Sequence, residues 1–145
     1  MTDKSLQLTD ILRKHLKDIE ANRLHLKADM TDKMMSNVFK GLKLPMVYDE
    51  IIGFWDGSVF FTCKAGILFA ENGCYISRMM DSTYYVEYDE IRTHEVNDAK
   101  LNLVLFNGAT IDTGSFDVVT AKGLLSLFID LEAFSKKFNQ YTGNK

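Results

Sequence analysis

The chain has 145 residues, of which 46% are hydrophobic, and its formal net charge is −3. This length and composition fit one compact domain that buries roughly 68% of its unfolded surface, so disulfide bonds are not needed for folding. No apolar run approaches the roughly 20 residues that span a bilayer, and the first residues lack a signal-peptide pattern, so we expect a cytoplasmic protein with free Cys63 and Cys74 thiols.

The first 45 residues are predicted to form a helical arm. Thr9 precedes residues 10–21, which have the spacing of a charged, weakly amphipathic helix. Thr31 precedes a second amphipathic helix, which must end before Pro45 because proline disfavours helical angles in the residue ahead of it. Pro45 therefore marks a boundary between an arm of residues 1–45 and a β-rich body of residues 46–145.

Turn chemistry predicts short strands in the body. Asn-Gly and Asp-Gly dipeptides supply the positive φ that a tight hairpin requires, and three of them lie between apolar runs. They are Asp56-Gly57 between residues 51–55 and 58–62, Asn72-Gly73 between 66–70 and 74–77, and Asn107-Gly108 between 101–106 and 109–113. Two further segments, 83–88 and 91–96, are rich in aromatic and β-branched residues. We expect about seven strands from these segments.

The chain closes with an amphipathic helix over residues 121–140. Leu124, Phe128 and Leu131 recur at helical spacing, opposite charged residues such as Lys136. The fold class predicted from these elements is α+β and mainly β. It is a small, partly open barrel of about seven antiparallel strands, capped by the C-terminal helix and preceded by the helical arm.

Four segments of the body, in this order, resemble bacterial pleckstrin-homology-like domains. They are residues 49–60, the Gly-Ile-Leu-Phe strand within 64–69, the Tyr-x-x-Ile step at 88–91, and the closing helix at 124–138. The resemblance covers about residues 46–140. It implies two roughly orthogonal sheets with one end plugged by the helix. The eukaryotic relatives bind phosphoinositides through a basic loop, whereas this chain has only Lys64 as a basic residue between Trp55 and Tyr75.

Charge is distributed unevenly along the chain. Residues 1–45 contain nine Lys/Arg and six Asp/Glu, residues 46–115 contain four and eleven, and residues 116–145 contain four and three. The β-rich body therefore has a net charge of −7, which repels phosphate backbones and anionic lipid headgroups. We expect neither nucleic-acid nor membrane binding, and a protein partner whose surface is neutral or basic.

Catalytic and metal-binding interpretations have weak support in the sequence. His94 and Glu95 are neighbours in a predicted strand, so their side chains point to opposite faces and do not form a metal site. A Cys63 nucleophile assisted by a remote His94 is an alternative to a buried structural cysteine. We identify no catalytic residue, no metal ligand and no cofactor.

Aromatic and methionine side chains are the candidates for contact with a partner. Tyr84, Tyr85 and Tyr88 place aromatic side chains on both faces of a predicted strand, and Tyr85, if it points outward, can serve as a recognition platform. Met79 and Met80 precede a polar turn signal, and an exposed pair there would form an adaptable contact.

Two hypotheses of function follow. The first is a non-enzymatic protein-interaction or regulatory module that binds a peptide, or another copy of itself, at a free strand edge or in a groove beside the closing helix. The alternative is a small hydrolase or ligand-binding enzyme with a site at the barrel mouth.

Overall fold

The computed structural model describes residues 2–44, 47, 49–78 and 82–142, with side chains described as far as Asn139. Within these ranges the chain forms three α-helices and eight strands. In chain order they are α1 (Asp3–Lys14), β1 (Leu24–Leu26), α2 (Asp32–Gly41), β2 (Ile51–Asp56), β3 (Gly66–Ala70), β4 (Gly73–Ser77), β5 (Tyr84–Glu87), β6 (Ile91–Asn97), β7 (Lys100–Leu105), β8 (Thr110–Asp112) and α3 (Val118–Thr142). Among the described helices, none is both long enough and apolar enough to cross a bilayer.

The strands form two antiparallel sheets. The first has the order β1-β2-β3-β4-β5, and the second has the order β6-β7-β8. The α+β class, the antiparallel pairing and the closing helix are therefore as predicted. In the described residues the two sheets are not joined by strand pairing, so the strands do not form a closed barrel.

Two of the three predicted hairpins are confirmed. β3 and β4 pair across Asn72, and β7 and β8 pair across the Asn107-Gly108 turn. The third prediction is wrong, because β2 pairs with β3 rather than with residues 58–62. Residues 57–65 form a loop, which we call the aromatic loop.

The side chain of Asp56 explains this loop. Its Oδ1 atom accepts hydrogen bonds from the Ser58 backbone N–H (2.9 Å) and hydroxyl (2.5 Å), and its Oδ2 atom accepts one from the Cys63 backbone N–H (3.2 Å). The Ser58 hydroxyl oxygen in turn accepts a hydrogen bond from Thr62 N–H at 2.8 Å. The buried carboxylate thus satisfies backbone groups that a two-residue hairpin would have paired between strands.

The N-terminal segment differs from the prediction in two ways. Helix α1 begins at Asp3 rather than near residue 10, because Thr2 caps it by accepting a hydrogen bond from Ser5 N–H at 3.0 Å. β1 pairs with β2, so the segment expected to be a helical arm also supplies an edge strand. Only the second helix starts where the sequence indicated, with Thr31 accepting a hydrogen bond from Met34 N–H.

Strands β2, β3 and β4 of the five-stranded sheet are buried on both faces. Trp55 of β2 packs into the main core, which also contains Phe69 of β3 and Phe128 of α3. The adjacent Phe54 packs into a second core with Val38 of α2. Because side chains alternate along a strand, burial on both faces makes β2 and β3 almost continuously apolar. α2 therefore covers one face of the sheet, and α1, α3 and the second sheet cover the other.

Helices α1 and α3 are linked by a charged contact, which yields a prediction about pH. The His15 ring contacts Asp130 with 2.6 Å between Nε2 and Oδ2, and Lys14 Nζ lies 3.2 Å from the same oxygen. The hydrogen bond with His15 is the largest cause that holds the pKa of Asp130 below its ordinary value of 3.8. A carboxyl group with a lowered pKa stabilises the fold above its unfolded-state pKa and loses that contribution as the pH falls through its folded-state pKa.

Asp130→Asn should therefore lower the melting temperature at pH 7. The difference from the wild type should shrink as the pH falls below about 4. Thermal melts at pH 7, 5 and 3 measure this, with Asp10→Asn as the control because the Asp10 side chain is 71% exposed. If the melting temperatures of the wild type and Asp130→Asn differed as much at pH 3 as at pH 7, the stabilisation would not come from the ionised Asp130 carboxylate.

Candidate partner-binding site

Tyr85 lies on the outer face of β5, the last strand of the five-stranded sheet. It is paired with Tyr75 of β4, and the two ring centroids are 4.8 Å apart. Its hydroxyl donates a hydrogen bond to Asp49 Oδ2 at 3.2 Å, yet 41% of the residue remains exposed. Burial, followed by the charge of Asp49, raises the pKa of Tyr85, so the phenol remains protonated and can donate. The hydroxyl of Tyr85 is thus anchored by a hydrogen bond while much of its side chain stays exposed.

β5 also has a free edge in the described part of the chain. It pairs only with β4, and no described strand pairs with its other side. Backbone N–H and C=O groups on such an edge can pair with an extended segment of another chain.

The other two predicted contact residues, Met79 and Met80, lie outside the described residues.

An acidic cleft opens on one side of Tyr85. It has a volume of about 330 Å³, close to the lower end of the range for ligand sites. Five parts of the chain contribute to it: the start of α1, the approach to β2, the β3–β4 turn, the end of β5 with the residues after it, and the last turns of α3. Its lining residues are Lys4, Asp49, Asn72, Tyr85, Glu87, Asp89, Ser135 and Asn139.

Lys4 is the cation of this acidic cleft. Its ammonium group donates a hydrogen bond to Asn72 Oδ1 at 2.6 Å and lies 5.0 Å from the centre of the Phe138 ring. Burial lowers the pKa of Lys4, while nearby carboxylates, of which Glu71 contributes most, act in the opposite direction. Three lining carboxylates against one ammonium leave the cleft with a formal net charge of −2.

A second groove, with both polar and apolar lining residues, opens beside Tyr85. Its volume is about 410 Å³, and the hydroxyl of Thr83 donates a hydrogen bond to Leu42 O at 2.6 Å. Its lining residues are Leu42, Lys43, Leu44, Tyr75, Ser82, Thr83 and Tyr85. Tyr85 therefore lines both the acidic cleft and this second groove.

The residues considered for catalysis have structural partners. His94 contacts Glu132 of α3 with 2.6 Å between Nε2 and Oε2, and Cys63 lies beside Asp56 rather than beside His94. Burial and the Asp56 charge raise the pKa of the Cys63 thiol to about 12, which is opposite to the activation of a nucleophile. No cluster of three or more potential metal ligands occurs among the described residues.

The aromatic loop is an exposed surface that the sequence reasoning missed. Val59, Phe60 and Phe61 are 66%, 83% and 46% exposed. Behind them the buried Arg23 guanidinium lies between two rings, 4.0 Å from the centre of Phe61 and 4.7 Å from that of Phe116. The sequence feature that could have revealed this exposed surface was the apolar run after Asp56-Gly57, which we interpreted as a strand.

No protein-family model matches this chain, and neither the curated proteins nor the solved structures include a significant match.

Proposed function

We propose that the protein is a non-enzymatic protein-interaction module that binds a segment of a partner protein along β5. The observation that carries the proposal is the position of Tyr85, an anchored but exposed aromatic residue that lines both the acidic cleft and the second groove. Rigid tyrosine side chains of this kind are enriched at the energetic centres of protein interfaces.

The charge of the site indicates the chemistry of the partner. The net charge of −7 on residues 46–115 and the excess of carboxylates in the cleft disfavour anionic ligands, including nucleic acid and acidic lipid headgroups. The proposed partner segment is extended, carries apolar and basic side chains, and adds its backbone to the free edge of β5.

The proposed framework for this module is a pleckstrin-homology-like domain in the cytoplasm. Two antiparallel sheets, one of five strands and one of three, followed by a closing helix support this proposal. α1, β1 and α2 are then additions that pack against both faces of the first sheet. The two buried free thiols, Cys63 and Cys74, support a reducing compartment.

Site-specific photo-crosslinking tests this function. A benzoylphenylalanine residue at position 85, introduced into the full chain in its own host cells, should give a discrete crosslinked product. The same residue in place of Val119, which is 69% exposed at the start of α3, is the control and should give none.

Crosslinking of equal strength from both positions, or from neither, would contradict the proposed site. A product of twice the mass of the chain would identify a second copy as the occupant, and would contradict a distinct partner.

A further inference from the structure

A cavity lies between the two sheets, at the opposite end of the first sheet from the acidic cleft. The cleft includes the β3–β4 turn, whereas this cavity lies where β3 begins at Gly66 and β4 ends at Ser77. The first sheet also contributes Trp55, and the second sheet contributes Lys100 and Asp112. We call it the inter-sheet cavity. Its volume of about 350 Å³ lies near the lower end of the range for small-molecule sites.

A buried N–H group in the wall of this cavity points to a ligand. Trp55 lines the cavity and is fully buried, and its Nε1 atom has no hydrogen-bond acceptor among the described residues. Buried polar side-chain atoms normally have a partner, and an indole N–H can act only as a donor. The ligand that satisfies Trp55 therefore carries a hydrogen-bond acceptor.

The charges around the cavity indicate an anion. Asp112 is already matched, because its Oδ2 atom lies 3.3 Å from Nη1 of Arg78 and its Oδ1 atom accepts a hydrogen bond from Gly114 N–H at 2.8 Å. Lys100 lines the same cavity, is exposed, and forms no ion pair within the described ranges of the chain. Two cations against one carboxylate give the described lining a formal charge of +1, opposite in sign to the acidic cleft. One negative charge on a ligand would balance it.

The remaining surface of the cavity suits an organic molecule better than an inorganic ion. Val59 and Phe116 line it, and they are 66% and 45% exposed. The Phe116 ring stacks with the indole of Trp55, with 6.2 Å between ring centroids and 26° between ring planes. An apolar group that covered these side chains would remove them from water, which is favourable.

We infer that the inter-sheet cavity binds a small organic acid with a single carboxylate. One carboxylate oxygen accepts the hydrogen bond of Trp55 Nε1–H, Lys100 balances the charge, and the apolar part of the acid lies along Val59 and Phe116. This site goes beyond the proposed function and does not depend on it, because none of the described lining residues belongs to β5.

The chain provides its own reporter for the test. Trp55 is the only tryptophan, so the ¹⁵N-labelled full-length protein gives a single indole N–H resonance in its NMR spectrum. Titration with hexanoate should move this resonance downfield in a saturable manner, with a dissociation constant on the order of 1–10 mM. Neither 1-hexanol, which lacks the charge, nor inorganic phosphate, which lacks the apolar part, should produce a saturable shift at the same concentrations.

Matched variants separate this site from a general effect of charge. Lys100→Gln removes the exposed cation of the cavity and should weaken hexanoate binding about three- to fivefold. Lys33→Gln removes the same charge from an exposed position on α2 that does not line the cavity, and it should leave binding unchanged. Trp55→Phe removes the N–H group and keeps an aromatic ring. If circular dichroism shows this variant folded, the backbone amides of Gly66 and Gly114 should report binding at least threefold weaker.

Equal hexanoate affinities of Lys100→Gln and Lys33→Gln, or an indole resonance that does not shift in a saturable manner, would overturn the inference. An equal response to inorganic phosphate would also overturn it, because the cavity would then bind any anion without using its apolar lining. Crosslinking from position 85 is a separate experiment at the other end of the sheet, so the failure of the partner site and the failure of the inter-sheet cavity are distinguishable.

Discussion

Phe128→Ala is expected to lower the free energy of unfolding by about 3–5 kcal/mol, because it removes a large side chain from a close-packed core. Phe128 is fully buried, and its ring centroid lies 5.8 Å from that of Phe69 in β3. This contact joins the closing helix to the five-stranded sheet, so the cavity left by alanine would lie at the centre of the main core. Urea denaturation followed by circular dichroism measures the difference.

Lys137→Ala is the matched control on the same helix. Lys137 is exposed, and its replacement should change the free energy of unfolding by less than about 0.5 kcal/mol. Lys136 is a poorer control because its ammonium group lies 5.9 Å from the centre of the Phe106 ring. Equal unfolding midpoints for Phe128→Ala and Lys137→Ala would show that α3 does not bury its apolar stripe.

Asp56→Ala should have an effect of similar size through a different cause. The carboxylate is fully buried, and its loss would leave the backbone N–H groups of Ser58 and Cys63 without their acceptors. Each buried donor left unsatisfied costs about 1–3 kcal/mol, so we expect a total loss of about 3 kcal/mol or more. The aromatic loop should also loosen, and chymotrypsin should then cleave more rapidly after Phe60 or Phe61 under native conditions.

Asp10→Ala is the control for this prediction. Asp10 forms an exposed ion pair with Arg13 at 2.6 Å, and such pairs contribute about 0–1 kcal/mol. If Asp56→Ala were as stable and as protease-resistant as Asp10→Ala, the carboxylate would not be what holds the loop.

Several elements were predictable because their causes are local. Thr31 caps α2 through its own side chain, and the Asn107-Gly108 turn joins β7 to β8 with Gly108 at a positive φ of 90°. The apolar spacing of α3 likewise lies within one segment.

Other features depended on contacts between residues far apart in sequence. Asp56-Gly57 has the composition of a hairpin turn, but the buried carboxylate and the guanidinium of Arg23, which donates to Ser58 O, hold a longer loop there. β1 has only three residues, too few for a periodic pattern, and it becomes a strand because β2 offers an edge.

The sequence by itself determined the mainly antiparallel α+β class, the acidic character of residues 46–115 and the closing helix, because each depends on composition or on spacing within one segment. Only the tertiary structure decided the candidate site. Lys4, Asp49, Glu87 and Ser135 come from four separate parts of the chain, and no local pattern relates them. They meet because burial of the core places α1 and α3 beside the end of the five-stranded sheet, and this packing sets the charge and shape of the cleft.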